Sequence, residues 1–188
     1  MNYRVGKVNF YTNYGFNHGI NANNGYVESE RTNQENRQDF NFRNKNNSHL
    51  LKLGMDYYIN EKNTLSAYTN QSFTNGSGTG LTTVVYDDAI TNWNTTQLFG
   101  SNSNNKNQTY DVVYKHDFDK KDENLELQIN YSHTVNDENT MYDETISNPT
   151  FNFDRTNLVS GTTDYFQFNA DYVNPITETT KLELGVET

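Results

Sequence analysis

No cysteine, no long hydrophobic run and no excess of positive charge occur in this sequence. Without cysteine there is no disulfide framework, a lack that suits an extracytoplasmic protein as well as a cytosolic one. No stretch approaches the ~18 apolar residues of a membrane-crossing helix. Lys and Arg number 14 against 24 Asp and Glu, for a net charge of −10. That balance excludes nucleic acid as a partner, because phosphate binding requires clustered cations. Helix signals are also nearly absent: no window carries an apolar stripe at spacings of three and four. No secretory leader is visible, since Met1-Asn2-Tyr3-Arg4 leads straight into a strand pattern.

What the chain does hold is aromatic residues. Only 32% of the residues are hydrophobic, yet 14 are Tyr and 11 are Phe. Disordered chains are poor in aromatics. The two facts agree if the apolar residues are gathered on one face of strands and the rest is polar.

The stretch Leu50 to Phe73 shows that arrangement. Leu51, Leu53, Met55, Tyr57 and Ile59 alternate with Lys52, Gly54, Asp56 and Tyr58. Side chains of a strand point to opposite faces in turn, so this reads as one apolar and one polar sheet face. A short break, Asn60-Glu61-Lys62-Asn63, precedes a second alternating run with Leu65 and Ala67 on one side, which predicts an antiparallel hairpin.

The plan recurs. Tyr110, Val112, Tyr114 and Phe118 lead to a break at residues 119–123, then Leu125, Leu127, Ile129 and Tyr131. Phe166, Phe168, Ala170 and Tyr172 lead to a break at residues 174–179, then Leu182, Leu184 and Val186. The leucines opening each second strand, Leu65, Leu125 and Leu182, recur about sixty residues apart, the mark of one supersecondary unit used repeatedly. A first strand is expected from Val5 to Phe16, giving about seven strands in an all-β, antiparallel up-and-down meander.

Three long polar excursions separate these units, at about 17–47, 75–106 and 136–161. In the first, Glu28 to Phe42 reads as a polar extension of the flanking strands. The second opens on Gly76-Ser77-Gly78-Thr79-Gly80, carries Val84, Val85, Tyr86, Trp93, Leu98 and Phe99, and suggests a small local strand pair. The third contains Asn148-Pro149 and Phe151-Asn152-Phe153. Short turns at one end of the strands and long loops at the other are the pattern of a bacterial outer-membrane barrel, whose apolar side chains face lipid. About ten alternating residues tilted ~45° cover ~23 Å, close to the apolar band of such a barrel. Tyr57, Tyr58, Phe118 and Tyr172, each just before a break, suit an interfacial girdle. An odd strand count and strand patterns at both ends imply an open segment of a larger barrel: residues 1–188 are expected to be a partial outer-membrane β-barrel domain without a plug. The alternatives are a soluble or surface-exposed β-sheet binding or adhesion module, and an outer-membrane channel without a plug.

The unit Leu51-Lys52-Leu53-Gly54-Met55-Asp56-Tyr57-Tyr58-Ile59-Asn60-Glu61-Lys62-Asn63-Thr64-Leu65-Ser66 resembles the strand–turn–strand of the outer-membrane β-barrel family found in TonB-dependent receptors of Bacteroidota. Tyr114 to Lys121, Asp171 to Ile176 and Lys181 to Gly185 resemble its next two turns. The resemblance implies a barrel of about 22 strands around an N-terminal plug, in the outer membrane of a Gram-negative cell. Its partners would be outer-membrane lipid, the remaining strands and plug, and the TonB complex through an N-terminal part. Import of a ligand is implied for the parent protein.

Candidate chemistry is sparse. His18, His49, His116 and His133 form no metal-ligand spacing and no cysteine is near, so no metal site and no cofactor are expected. His116 and His133 fall on the apolar face by parity, and both are expected near a strand end. Asp87-Asp88, Asp137-Glu138 and Asp143-Glu144 read as solvated charge, not as a calcium loop. Glu126, Asp171 and Glu183 share the polar face, where polar residues would line a lumen whether or not anything is catalysed, and no nucleophile elbow, phosphate loop or triad accompanies them. No enzyme is expected. Lys52, Asp56, Glu126 and Gln128 are read as lumen residues, and Leu53, Leu127 and Phe168 as wall residues. Tyr86, Trp93 and Phe99 are the candidate ligand contacts, because exposed aromatic rings either grip a ligand or pack neighbouring chain.

Overall fold

The computed structural model describes residues 1–31, 34–88, 92–147 and 150–188. They form one eight-stranded antiparallel sheet: β1 (Asn2–Val5), β2 (Val8–Arg31), β3 (Gln34–Asn60), β4 (Asn63–Asp88), β5 (Asn92–Asp117), β6 (Asn124–Ile146), β7 (Phe151–Pro175) and β8 (Lys181–Glu187). Each strand pairs with its neighbour in sequence, β1 to β8 in order. The expected meander is present, with one strand more than the seven counted. Val5 ends β1, and the expected first strand begins at Val8 instead. Gly6, with φ of 55°, makes the tight turn that Val5↔Val8 closes. A glycine is suited there because a Cβ disfavours positive φ.

All the turns on this side are short. Asn60 Oδ1 accepts from the Lys62 amide (3.0 Å) and from Asn63 Nδ2 (2.7 Å) across the β3–β4 turn. The β5–β6 turn is closed by Phe118 N–H to Glu123 O at 3.0 Å, with Asp122 at φ of 64°. Ile176 N–H to Thr180 O, 2.8 Å, closes the turn between β7 and β8.

The far side differs from expectation. The three excursions are not long loops but continuations of the strands. Pairing runs unbroken to Arg31↔Gln34, Asp87↔Asn92 and Ile146↔Phe151. The predicted polar extension of Glu28 to Phe42 and the local pair in the second excursion are both parts of these ladders. Asn148-Pro149 lie outside the described residues. Once the lower strands are aligned, each further pair adds ladder hydrogen bonds without a new chain closure, so polar residues suffice. The Thr, Val and Tyr content of 82–86 favours extended backbone as well.

Among the described residues no hydrophobic side chain is buried. The ladder puts Phe10, Met55, Ala67, Val112, Ile129 and Phe168 on one face in a continuous row across six strands. No second layer covers it: Leu53 is 45% exposed, Ile129 44% and Phe166 62%. The buried residues Thr95, Asp111 and Thr140 all lie on the opposite face. That crowding marks it as the inner face of a curled sheet, and the apolar face as the outer one.

Candidate functional site

The inner face has two storeys. In the lower one, Asp56 accepts hydrogen bonds from Asn9 Nδ2 (3.2 Å) and Ser66 Oγ (2.8 Å). Asp111, 5% exposed, accepts from Asn130 Nδ2 (2.7 Å) and Gln128 Nε2 (3.3 Å). The Lys52 ammonium stands 5.0 Å from the ring centre of Tyr68 and 6.0 Å from that of Tyr11. Glu126 pairs in register with Lys115 on one side and Asp171 on the other. The expected lumen residues Lys52, Asp56, Glu126 and Gln128 therefore share this face. The Asp56 and Asp111 carboxylates are thus each held by two side-chain donors, as crowded charge requires.

The upper storey is aromatic. Tyr86 and Trp93 face each other across β4 and β5 with ring centres 3.8 Å apart and planes 11° from parallel. Phe99, further down β5, meets Phe42 edge-on at 6.1 Å and Tyr142 at 5.4 Å. Phe40 lies 6.0 Å from Phe42, and the Arg155 guanidinium covers Tyr142 at 4.5 Å. Tyr86, Trp93 and Phe99 thus share one face, Tyr86 and Trp93 as a stacked pair and Phe99 within a separate group of rings. Phe40, Phe42 and Tyr142 escaped the sequence reading, although Asp39-Phe40-Asn41-Phe42-Arg43 alternates as cleanly as the lower strands.

Glycines make room for these rings. Gly76, Gly78 and Gly80 occur at alternate positions, so all three face inward. A Cβ on Gly80 would lie 2.3 Å from Cδ1 of Phe42, and one on Gly25 would lie 2.8 Å from Cζ of Phe40. The missing side chains let the phenyl rings lie flat against the backbone.

On the outer face, wall residues Leu53, Leu127 and Phe168 stand in the apolar row as expected. Two aromatic rims border it. At the turn side, Phe118 packs edge-on against His116 (4.4 Å) and Tyr172 (6.0 Å), and Tyr57 is level with Leu65. Tyr58 departs from the expected girdle: it faces inward, under the Arg4 guanidinium at 4.6 Å, because its neighbour Tyr57 holds the outward position. The upper rim was not anticipated. Tyr14 Oη and His49 Nδ1 are 2.8 Å apart, Phe16 packs on His49 at 4.9 Å, and Tyr110 lies over Tyr131 at 6.2 Å. Tyr131 Oη donates to Asp164 at 2.7 Å. Eight strand positions from Tyr57 to His49, at ~3.3 Å each and tilted ~40°, separate the rims by ~20 Å, near the ~25 Å apolar band of membrane barrels.

His116 sits one residue from the end of β5, with Nδ1 2.8 Å from Asn63 Oδ1, as expected. His133 does not lie near a strand end. Its strand continues to Ile146, and its Nδ1 meets Asp164 at 2.7 Å. The polar site it needs is supplied by the upper rim instead of by a turn. Asp137-Glu138 and Asp143-Glu144 are strand neighbours pointing to opposite faces, so neither pair can close on one ion.

No curated protein matches the chain. Among solved structures, its sheet is similar to a chain of the RagAB peptide importer in a closed-closed state, with a TM-score of 0.49 and 8% identity over 97% of this chain and 30% of that one. It is also similar to FpvA of P. aeruginosa bound to a heterologous pyoverdine and iron, with a TM-score of 0.29 and 7% identity over 95% of this chain and 36% of that one. The chain thus spans about a third of the length of these structures. Over residues 116–188, from the end of β5 through β8, it matches the outer membrane protein beta-barrel family.

Proposed function

We propose that this sheet is part of the barrel wall of a TonB-dependent outer-membrane receptor that imports a ligand across the envelope of a Gram-negative, Bacteroidota-type cell. The observation that carries the reading is the uncovered apolar row between two aromatic rims, backed by a polar inner face. A water-soluble sheet would hide such a row under a second layer. In lipid it needs no cover, whereas open sheet edges there leave backbone groups unpaired at several kcal/mol each. β1 and β8 are edges of this sheet. Further strands of the parent protein therefore close the wall, around a plug that couples to TonB. The inner face guides a ligand; the role is passage, not catalysis.

The test is Leu127→Arg in the full-length protein. Leu127 lies between Tyr114 and Ala170 in the outer row. An arginine there, near the bilayer midplane, costs about 2–4 kcal/mol. Assembly in outer-membrane fractions, followed by heat-modifiable gel mobility, is expected to fall sharply. Wild-type assembly of the variant would remove the lipid-facing assignment.

A further inference from the structure

The two storeys of the inner face differ in charge. The lower one carries Lys52, Asp56, Asp111, Lys115 and Glu126. Above it, across six paired strands, the only described inward side chains with charge are Glu138, Glu144 and Arg155. Arg155 is spread over the Tyr142 ring, and Glu138 accepts from Thr140 Oγ1 at 3.0 Å. The charges of the extensions lie mostly on the other face, where Glu28, Arg37, Asp39, Arg43, Lys45 and Asp87 stand. What remains on the inside is mostly amide, hydroxyl, glycine and aromatic, with Val27, Val84, Ile146 and Val159 among them. A recess beside the Tyr86–Trp93 stack is lined by the polar Gln38, Thr82, Thr95, Gln97 and Glu144 and by the apolar Val84 and Ile146. Tyr86 and Trp93 are both half-buried, with ring surface left open.

This composition selects a ligand class. A ferric catecholate or acidic peptide carries negative charge, and among the described inward side chains the upper wall offers it one cation, already engaged with a ring. A uniformly apolar ligand would leave the amides and hydroxyls of the recess unpaired, which is unfavourable. A sugar ring suits both parts: its C–H face lies on an aromatic plane, and its hydroxyls exchange hydrogen bonds with amide side chains that both donate and accept. We propose that the upper inner wall binds a neutral oligosaccharide, with one sugar stacked on the Tyr86–Trp93 pair and its hydroxyls held by Gln38 and Gln97. The proposal rests on the receptor reading above and names the cargo of that same inner face.

The test uses the full-length protein purified in detergent, its fold checked by heat-modifiable mobility. Calorimetric titration is made with neutral oligosaccharides of glucose, mannose, xylose and N-acetylglucosamine, with a uronic-acid oligosaccharide, an acidic hexapeptide and a ferric catecholate. At least one neutral oligosaccharide is expected to bind. Trp93→Ala should weaken it about tenfold, Trp93→Phe much less, since stacking needs an aromatic plane and not the indole N–H. Gln97→Ala, which leaves the stack intact, should weaken it several-fold. Binding by none of the neutral sugars, binding indifferent to Trp93→Ala and Gln97→Ala in folded protein, or binding of the charged probes alone overturns the proposal. Normal assembly of Leu127→Arg would instead strike the receptor reading, so the two failures are distinct.

Discussion

Single residues set the shape of the inner wall by what they omit. Tyr11 lies over Gly54, where a Cβ would fall 2.2 Å from its Cζ. Gly54→Val forces that ring aside and disturbs the Lys52–Tyr68 neighbourhood, an overpacking cost of about 1–3 kcal/mol. The urea midpoint of the folded protein in lipid should drop accordingly. Gly100→Val, where a Cβ meets nothing within 4 Å, should leave it unchanged. A second residue-scale effect lies at the turns. Lys62 Nζ donates to Asp119 and holds its carboxyl below the ordinary aspartate value of 3.8. Whatever this contact contributes is therefore complete above that value and lost as pH falls through the depressed one. Both side chains are well exposed, so the contribution to stability is small. Asp119 should titrate below 3.8 in an NMR titration of the wild type and return towards it in Lys62→Met.

At the scale of the strand, parity decides which solvent a side chain meets. Lys52 and Leu53 are adjacent on β3 but face the inside and the outside. The chain has no cysteine, so single-cysteine variants are clean probes within it. In the assembled protein, Lys52→Cys should react with a small water-soluble maleimide and Leu53→Cys should be protected until the membrane is dissolved. Equal labelling would contradict the two-solvent arrangement. Parity also explains how much of the sheet could be read beforehand. The Leu50–Phe73 hairpin was legible because a greasy row alternates with a polar one and a four-residue turn interrupts them. Above the rim, where the proposed wall would have water on both sides, the contrast vanishes and alternation gives way to asparagine, serine and threonine; those segments read as loops although they pair. β1 was lost for a different reason: four residues are too few to show a period, and only Gly6 marked the turn.

At the scale of the whole molecule, the candidate site was half legible. Tyr86, Trp93 and Phe99 stood out by residue type, and the strand pairing puts all three on one face. Their company did not stand out. Phe42 reaches Phe99 only because β3, β4 and β5 run side by side past three inward glycines, and Tyr142 joins from the next strand. That convergence depends on long-range register, which local spacing does not carry.

The unbroken ladders have a consequence for where capture occurs. β4 has 26 residues; at ~3.4 Å each and a ~40° lean it rises ~65 Å, against the ~25 Å that the apolar band of a membrane barrel takes up. In the barrel wall proposed above, the remainder would stand as a collar of paired strands ~40 Å above the bilayer, in place of surface loops. A ligand of such a wall would meet paired polar strand well before it reached the throat.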